Sequence, residues 1–347
     1  MREDQNIEGG GTVLPESPTA IVNHPMAFEI VWPGTEGIRE ALLSDLEEIP
    51  AIKVGDFVLQ IELKELSPEL KEVARKEIRE TPEVVKEAVA TLRDLLKEET
   101  DLKCPYDKDS WLIRFLRPSH FYPESALELI KRYYQFKQKH SNLYDGLVPT
   151  KNKNIFDHNI LTVLPNRDQF GRRVLILELG KKWKHNKVSL DEVYKGCVLF
   201  LEIAMLEPET QATGAVVIFD MDGLSLQQVW QFTPPFAKRI VDLLQDAIAL
   251  RIKNIHVVNQ PYIFNMVFAL FKPFLRDKLR SRIIFHGTDR ESLHNYMSPK
   301  YLPAAYGGTL ELPRIDGPTW YKLLSMSEKE YEAINSYGYG KNVESKK

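Results

Sequence analysis

Asp220 and Asp222 close the apolar run AVVIFDM, a strand-end position where acids that hold a metal or orient a phosphate occur. Such acids work beside a phosphate loop. The sequence has no G-x-x-x-x-G-K-S/T, and Gly9-Gly10-Gly11 is not followed by a strand–helix unit, so the two aspartates read as turn residues. His256 lies inside the β-rich IHVVN, as a core imidazole does, and His286 precedes Gly287 at a strand end. Neither accompanies a nucleophile signature, since G-x-S-x-G, H-E-x-x-H and paired C-x-x-C are absent. Cys197 stands in GCVLFLEIAML, and burial there raises a thiol's pKa and makes it a poor nucleophile. These types at these spacings predict a protein that is not an enzyme and holds neither metal nor cofactor.

What remains is cationic surface beside apolar volume. Residues 251–282 read RIKNIHVVNQPYIFNMVFALFKPFLRDKLRSR. Within them Ile263–Phe271 is apolar on every side, stops at Lys272-Pro273, and runs into a segment carrying Arg276, Lys278, Arg280 and Arg282. An apolar element too short to span a bilayer, joined to a cationic one, suits docking on an anionic membrane and opening a greasy cavity there. Periodicity leaves equal room for a buried core helix. A helix with Tyr194, Cys197, Leu201 and Met205, a strand with Val217 and Phe219, Ile255 on a later strand, and a helix with Leu243, Ile248 and Leu250 could line a cavity. The same residues fill a core as the more ordinary reading, and the pattern does not distinguish the two.

The elements that must position these residues alternate. Gly9–Gly11 with Pro15, Pro18, Pro25 and Pro33 predict a flexible acidic arm over 1–35. Ser67-Pro68-Glu69 and Thr81-Pro82-Glu83 are helix starts, and residues 36–145 are expected to be all helical. Strands are expected at Ile160–Leu164 and Arg173–Leu179, joined by PNRDQFGR, and at Ala215–Met221, Asn254–Asn259 and Arg282–His286. Helices over Ser189–Leu206, Pro234–Leu250 and Ile263–Leu279 come between them. The fold class is therefore α/β with a mostly parallel sheet, over about 150–315, followed by a tail at 316–347.

Charge and compartment agree with this reading. Residues 1–100 carry 22 acidic and 11 basic side chains, leaving 27 and 35 in the remainder, so an acidic N-terminal region precedes a basic body that attracts phosphates. The basic residues gather around an apolar segment without interleaved exposed aromatics, which disfavours nucleic acid. Two cysteines cannot form a disulfide framework, and the first residues have neither the basic nor the apolar part of a secretory signal. No apolar run approaches the ~20 residues of a membrane span. The cytosol is the expected compartment.

Beyond these properties, DSWLIRFLR, FYPESALELIKRYYQFK, DQFGRRVLIL, IFDMDGLSLQQ, FTPPFAKRIVDLLQD, IKNIHVVNQPYIFNMVFALFKPFL, IIFHGTD and YLPAAYGGTL recur in one order and spacing over about 75–315. In these blocks the chain resembles the CRAL-TRIO lipid-binding family, in the branch with α-tocopherol transfer protein, cellular retinaldehyde-binding protein and the clavesins. The resemblance implies a helical N-terminal unit (about 75–145) and an α/β domain around a hydrophobic pocket. It implies non-covalent carriage of one hydrophobic molecule. Ile263, Phe264, Val267, Phe268 and Phe271 correspond to a gate over the pocket, and Arg251, Lys253, Lys278 and Arg282, with Arg280 added, correspond to a phosphoinositide-binding cluster. Where the tocopherol carrier has serines this chain has Cys197 and Leu201, and Tyr194 replaces a pocket phenylalanine. The expected partners are a hydrophobic ligand, phosphoinositide-containing endosomal, Golgi or plasma membrane, and a protein partner for the acidic region. An adaptor that reads phosphoinositides and keeps its pocket lipid as a fixed component is the alternative.

Overall fold

The structure, a computed structural model, describes residues 29–31 and 49–339. At its centre is a sheet ordered Leu161–Val163, Arg173–Glu178, Ala215–Asp220, Ile252–Val258, Ile283–Gly287. The first pair is antiparallel and the rest are parallel. The three middle strands are apolar runs because parallel strands covered on both faces have no side left for water. The PNRDQFGR connection closes the antiparallel pair as an Asx turn, with Asp168 Oδ1 accepting from the amides of Phe170 and Arg172 at 2.9 Å each.

Register turns this alternation into two surfaces. Leu175, Val217, Ile255 and Ile283 form one row across the sheet, and Leu177, Phe219, Val257 and Phe285 the next. The intervening Val174, Ile176, Val216, Ile218 and Val258 face the other way, into a separate core with Leu293, Met297, Leu302 and Tyr306. A side-chain period of two gives each strand both faces at once.

In the N-terminal unit, helices Pro68–Ile78 and Pro82–Glu98 begin where the capping signals place them. Ser67 Oγ accepts from Leu70 N and Thr81 Oγ1 from Val84 N, each at 3.3 Å. Helices Asp109–Leu116 and Pro123–Lys139 follow, and the core is continuous from this unit into the α/β part.

Two boundaries differ from the sequence reading. The region 36–145 is not all helical, because Ala51–Val54 and Phe57–Gln60 form an antiparallel hairpin. Its AIKV and FVLQ halves are short β-rich runs around Gly55-Asp56, and Gly55 takes a φ of 60°, the conformation a two-residue hairpin turn requires at its first central position. Nor is 316–347 merely a tail. Gly317–Met326 and Glu328–Ser336 are helices that bury Trp320, Leu323, Leu324, Tyr331 and Ile334, and Gly338–Tyr339 pairs with Leu102–Lys103. The arm expected over 1–35 lies outside the described residues apart from Glu29–Val31, which pairs antiparallel with Ala51–Lys53.

Candidate functional site

One face of the sheet is roofed by helices that do not meet it completely, leaving an apolar chamber of about 150 Å³. Helix Leu190–Ala204 forms one wall. It starts on a reciprocal capping box, Ser189 with Glu192, and its Leu190, Val193, Tyr194, Cys197 and Leu201 fall on one helical stripe that faces the void. Gly196 on the far side lets the helix press against the sheet edge, since a Cβ there would stand 2.6 Å from Leu161 Cδ1. Helix Pro234–Asp242 forms the second wall with Phe236, Ile240 and Val241, and Leu243 and Leu244 follow in a π-helical turn, Leu243–Ala247.

Of the residues expected in the pocket, Tyr194, Cys197, Leu201, Val217, Phe219, Leu243 and Ile255 line this chamber. Ile248 and Leu250 do not. The chain leaves the helix through the π turn, Ile248 is extended, and both side chains bury in the surrounding core, Leu250 against a separate void of about 50 Å³. The sheet's contribution from Leu175, Leu177 and Leu179 was overlooked in the sequence, although their period-two spacing was readable there.

The short helix Phe264–Phe271 covers part of the chamber. Phe264, Val267, Phe268 and Phe271 point inward and line the void, while Ile263 packs on the core beside it. The outer face is open to solvent and apolar except at Asn265, with Met266 51% exposed and Tyr262, just before the helix, 88% exposed. The adjoining short helix Leu226–Val229 adds Leu226 and Trp230, 43% and 67% exposed. The helix buries Phe264 and Val267 over the cavity and leaves its other side in water, so it covers the chamber. Its far end is fastened to the π turn, where Gln245 Oε1 accepts from Arg276 N at 2.8 Å and Asp246 takes the Arg276 guanidinium with both oxygens, at 2.7 and 2.5 Å.

The expected cations divide into two groups. Lys278 and Arg280 stand exposed on Asp277–Arg280, beyond the lid. Arg251, Lys253 and Arg282 are partly buried where the strands begin. Arg282 donates to the Ile252 carbonyl at 2.5 Å, and Arg251 donates to the Ala212 carbonyl. Arg251 and Lys253 both reach Glu77 Oε2 at 3.2 Å. Burial lowers the pKa of Arg251 and of Lys253. His120 is pushed down by burial and then by Arg251, Lys278 and Lys253, which marks it as a neighbour of the cluster, and Arg172 acts on Arg251 and Lys253 in the same sense. Glu77, His120 and Arg172 come from elements distant in sequence, so spacing did not reveal them.

The residues considered for catalysis are engaged otherwise. Asp220 accepts from Asp222 N at 3.0 Å, Asn259 Nδ2 at 2.8 Å and Tyr306 Oη at 3.1 Å. His256 Nδ1 lies 2.9 Å from His286 Nε2, and His286 Nδ1 lies 2.7 Å from Ser292 Oγ, all on the sheet face away from the chamber. Burial pushes the Cys197 thiol up to about 12. Among the described residues no helix is long and apolar enough to cross a membrane, and no cluster of His, Cys, Asp and Glu could hold a metal ion.

A mostly parallel sheet, a helical N-terminal unit and a lidded apolar chamber define an α/β protein built around an internal pocket. Residues 157–308 match the family described as CRAL/TRIO domain. Clavesin-1 of Pongo abelii is 33% identical over 274 residues, 78% of this chain and 76% of the other. The alpha-tocopherol transfer protein-like protein of Homo sapiens is 35% identical over 267 residues, 77% of each chain. The chain belongs to the CRAL-TRIO family, and membership supports lipid binding and transfer in general terms.

Proposed function

We propose that the protein carries a small hydrophobic ligand of the retinoid or tocopherol kind between membranes, without catalysing a reaction, and docks briefly on phosphoinositide-containing leaflets. The observation that carries this reading is a covering helix, apolar inward and largely apolar outward, over a chamber whose lining is apolar. In solution the outer face is held in water. At a bilayer Tyr262, Met266, Trp230 and Leu226 gain a headgroup and acyl environment, and that differential contact favours the released lid. Relatives named for tocopherol transfer accord with such cargo.

The cations supply attraction and orientation. Each one near an anionic leaflet contributes on the order of 1 kcal/mol, so Lys278, Arg280 and the inner three hold the protein for a short residence only.

The test is transfer of a fluorescent tocopherol analogue between vesicles, with and without phosphoinositide. Lys278→Glu with Arg280→Glu is expected to slow transfer to the phosphoinositide vesicles about thirtyfold or more, with solution affinity unchanged. Equal rates for the variant and the parent would refute docking through these cations. A lipid that never leaves the wild-type protein would favour the fixed-lipid adaptor.

A further inference from the structure

The stretch Lys181-Lys182-Trp183-Lys184-His185-Asn186-Lys187 follows strand Arg173–Glu178 and carries four lysines that the site above does not use. Its conformation is pinned. Trp183 is buried, with Nε1 donating to the Val188 carbonyl at 2.8 Å and its ring 5.8 Å from that of Phe232. Gln228 Nε2 donates to the Gly180 and Trp183 carbonyls at 2.7 Å each, tying the loop to helix Leu226–Val229. With Trp183 turned inward, Lys181, Lys184 and Lys187 are exposed at intervals of three. Lys181 pairs with Asp222, and Lys182 with Glu178. Lys184 Nζ donates to the Lys181 carbonyl at 2.8 Å, and among the described residues neither Lys184 nor Lys187 makes an ion pair.

The helix tied to this loop is the one that exposes Leu226 and Trp230 beside the lid. The loop, that helix and the start of the lid follow the ends of three neighbouring parallel strands. They therefore stand in a row: the lysines, then Leu226 and Trp230, then Tyr262 and Met266. Lys278 and Arg280 lie at the other end of the lid, where the chain turns back into Ile283–Gly287. Cations thus bracket the exposed apolar side chains at both ends.

Resting on the docking reading above, we propose that the loop Lys181–Lys187 is a second membrane-contact surface, which meets the bulk anionic lipid of a leaflet while Lys278 and Arg280 meet it at the opposite end, so that the lid lies along the bilayer. Lysine ammonium groups are point charges on flexible stems, and exposed ones respond to the density of negative charge rather than to the structure of one headgroup. An acidic peptide would satisfy the lysines and leave Leu226 and Trp230 in water. The interfacial region of an anionic bilayer takes both at once.

The experiment uses the full chain and phosphatidylcholine vesicles that contain phosphatidylserine and no phosphoinositide, with binding read by flotation at two salt concentrations. Lys184→Gln with Lys187→Gln is expected to weaken binding about tenfold or more at low salt, with the difference shrinking as salt rises. Lys86→Gln with Lys329→Gln removes the same charge from exposed positions on helices Pro82–Glu98 and Glu328–Ser336, and should stay within about twofold of the parent. Equal weakening by the two double variants would make the effect one of net charge and overturn the proposal. So would undiminished binding by the loop variant, or a parent that binds phosphoinositide vesicles alone, and each of these leaves the carrier reading intact. A loop variant that keeps its vesicle binding and loses binding to polyglutamate assigns the loop to an acidic protein partner, which also overturns it. A parent that binds neither kind of vesicle removes the proposal together with the docking reading.

Discussion

Glu77 Oε2 accepts a hydrogen bond from Lys253 Nζ at 3.2 Å, joining the N-terminal helix Pro68–Ile78 to the cationic cluster beside the lid. The same oxygen accepts from Arg251. Burial works to raise the Glu77 pKa, but Lys253 and Arg251 outweigh it and hold the carboxyl below its ordinary value, so it stays charged at neutral and mildly acidic pH. An anionic headgroup approaching these two cations must compete with a carboxylate already there.

Glu77→Gln should therefore bind anionic vesicles more tightly, by about fivefold at low salt, with the gain shrinking as salt rises. Sedimentation with phosphoinositide vesicles at two ionic strengths measures it. Stability should change by less than about 1 kcal/mol, because the pair is partly exposed. Unaltered vesicle affinity would mean Glu77 does not compete.

Arg276 and Asp246 fasten the far end of the lid to the π-helical turn. Asp246→Ala removes both carboxylate acceptors, so a captured ligand should exchange faster, by roughly twofold to fivefold for an ion pair of this exposed kind. Stopped-flow release to acceptor vesicles reads the rate. Identical rates would show that the turn does not restrain the lid.

Met266 and Trp230 expose apolar surface that makes few contacts with the folded protein. Met266→Asp with Trp230→Ser should leave the unfolding midpoint nearly unchanged while weakening vesicle binding by at least about tenfold, since both a large apolar area and an interfacial tryptophan are lost. A drop in the midpoint without loss of vesicle binding would assign these residues to packing instead.

His256 is held down to about 3, first by burial and then by His286 and Arg172. An unfolded histidine takes up a proton near pH 6.5, whereas the folded one refuses it until far lower. Because the unfolded chain binds more protons in that window, stability is complete above about 6.5 and falls as the pH drops, by at most about 1.4 kcal/mol per unit for one site. Urea unfolding at pH 7 and pH 5 should differ by about 2 kcal/mol, and His256→Gln should shrink that difference. A difference of the same size in the variant would assign the effect to other groups.

Much of the α/β part was legible because its signals are local. Five β-rich runs with helices between them are a property of consecutive residues, and the Ser67 and Thr81 caps act within three positions. The hairpin at 51–60 was missed for a related reason. Four-residue strands carry little periodicity, and the Gly55-Asp56 turn, which marks them, was passed over inside a charged, helix-rich stretch. Ile248 and Leu250 were misplaced because a helix widening into a π turn leaves no mark in the hydrophobic pattern.

The sequence alone determined the order of strands and helices, the apolar segment at Ile263–Phe271 and the cations beyond it, since each follows from residue type and short-range period. Only tertiary structure decided whether Ile263–Phe271 is core or cover, because that depends on how much space the facing walls leave, and volume is a property of packing. It also brought Glu77 to Lys253 and Arg251 across more than 170 residues, and turned the Tyr194 hydroxyl to Tyr144 and away from the chamber. Contacts between distant segments are set by the closed core as a whole, and no local stretch of the chain encodes them.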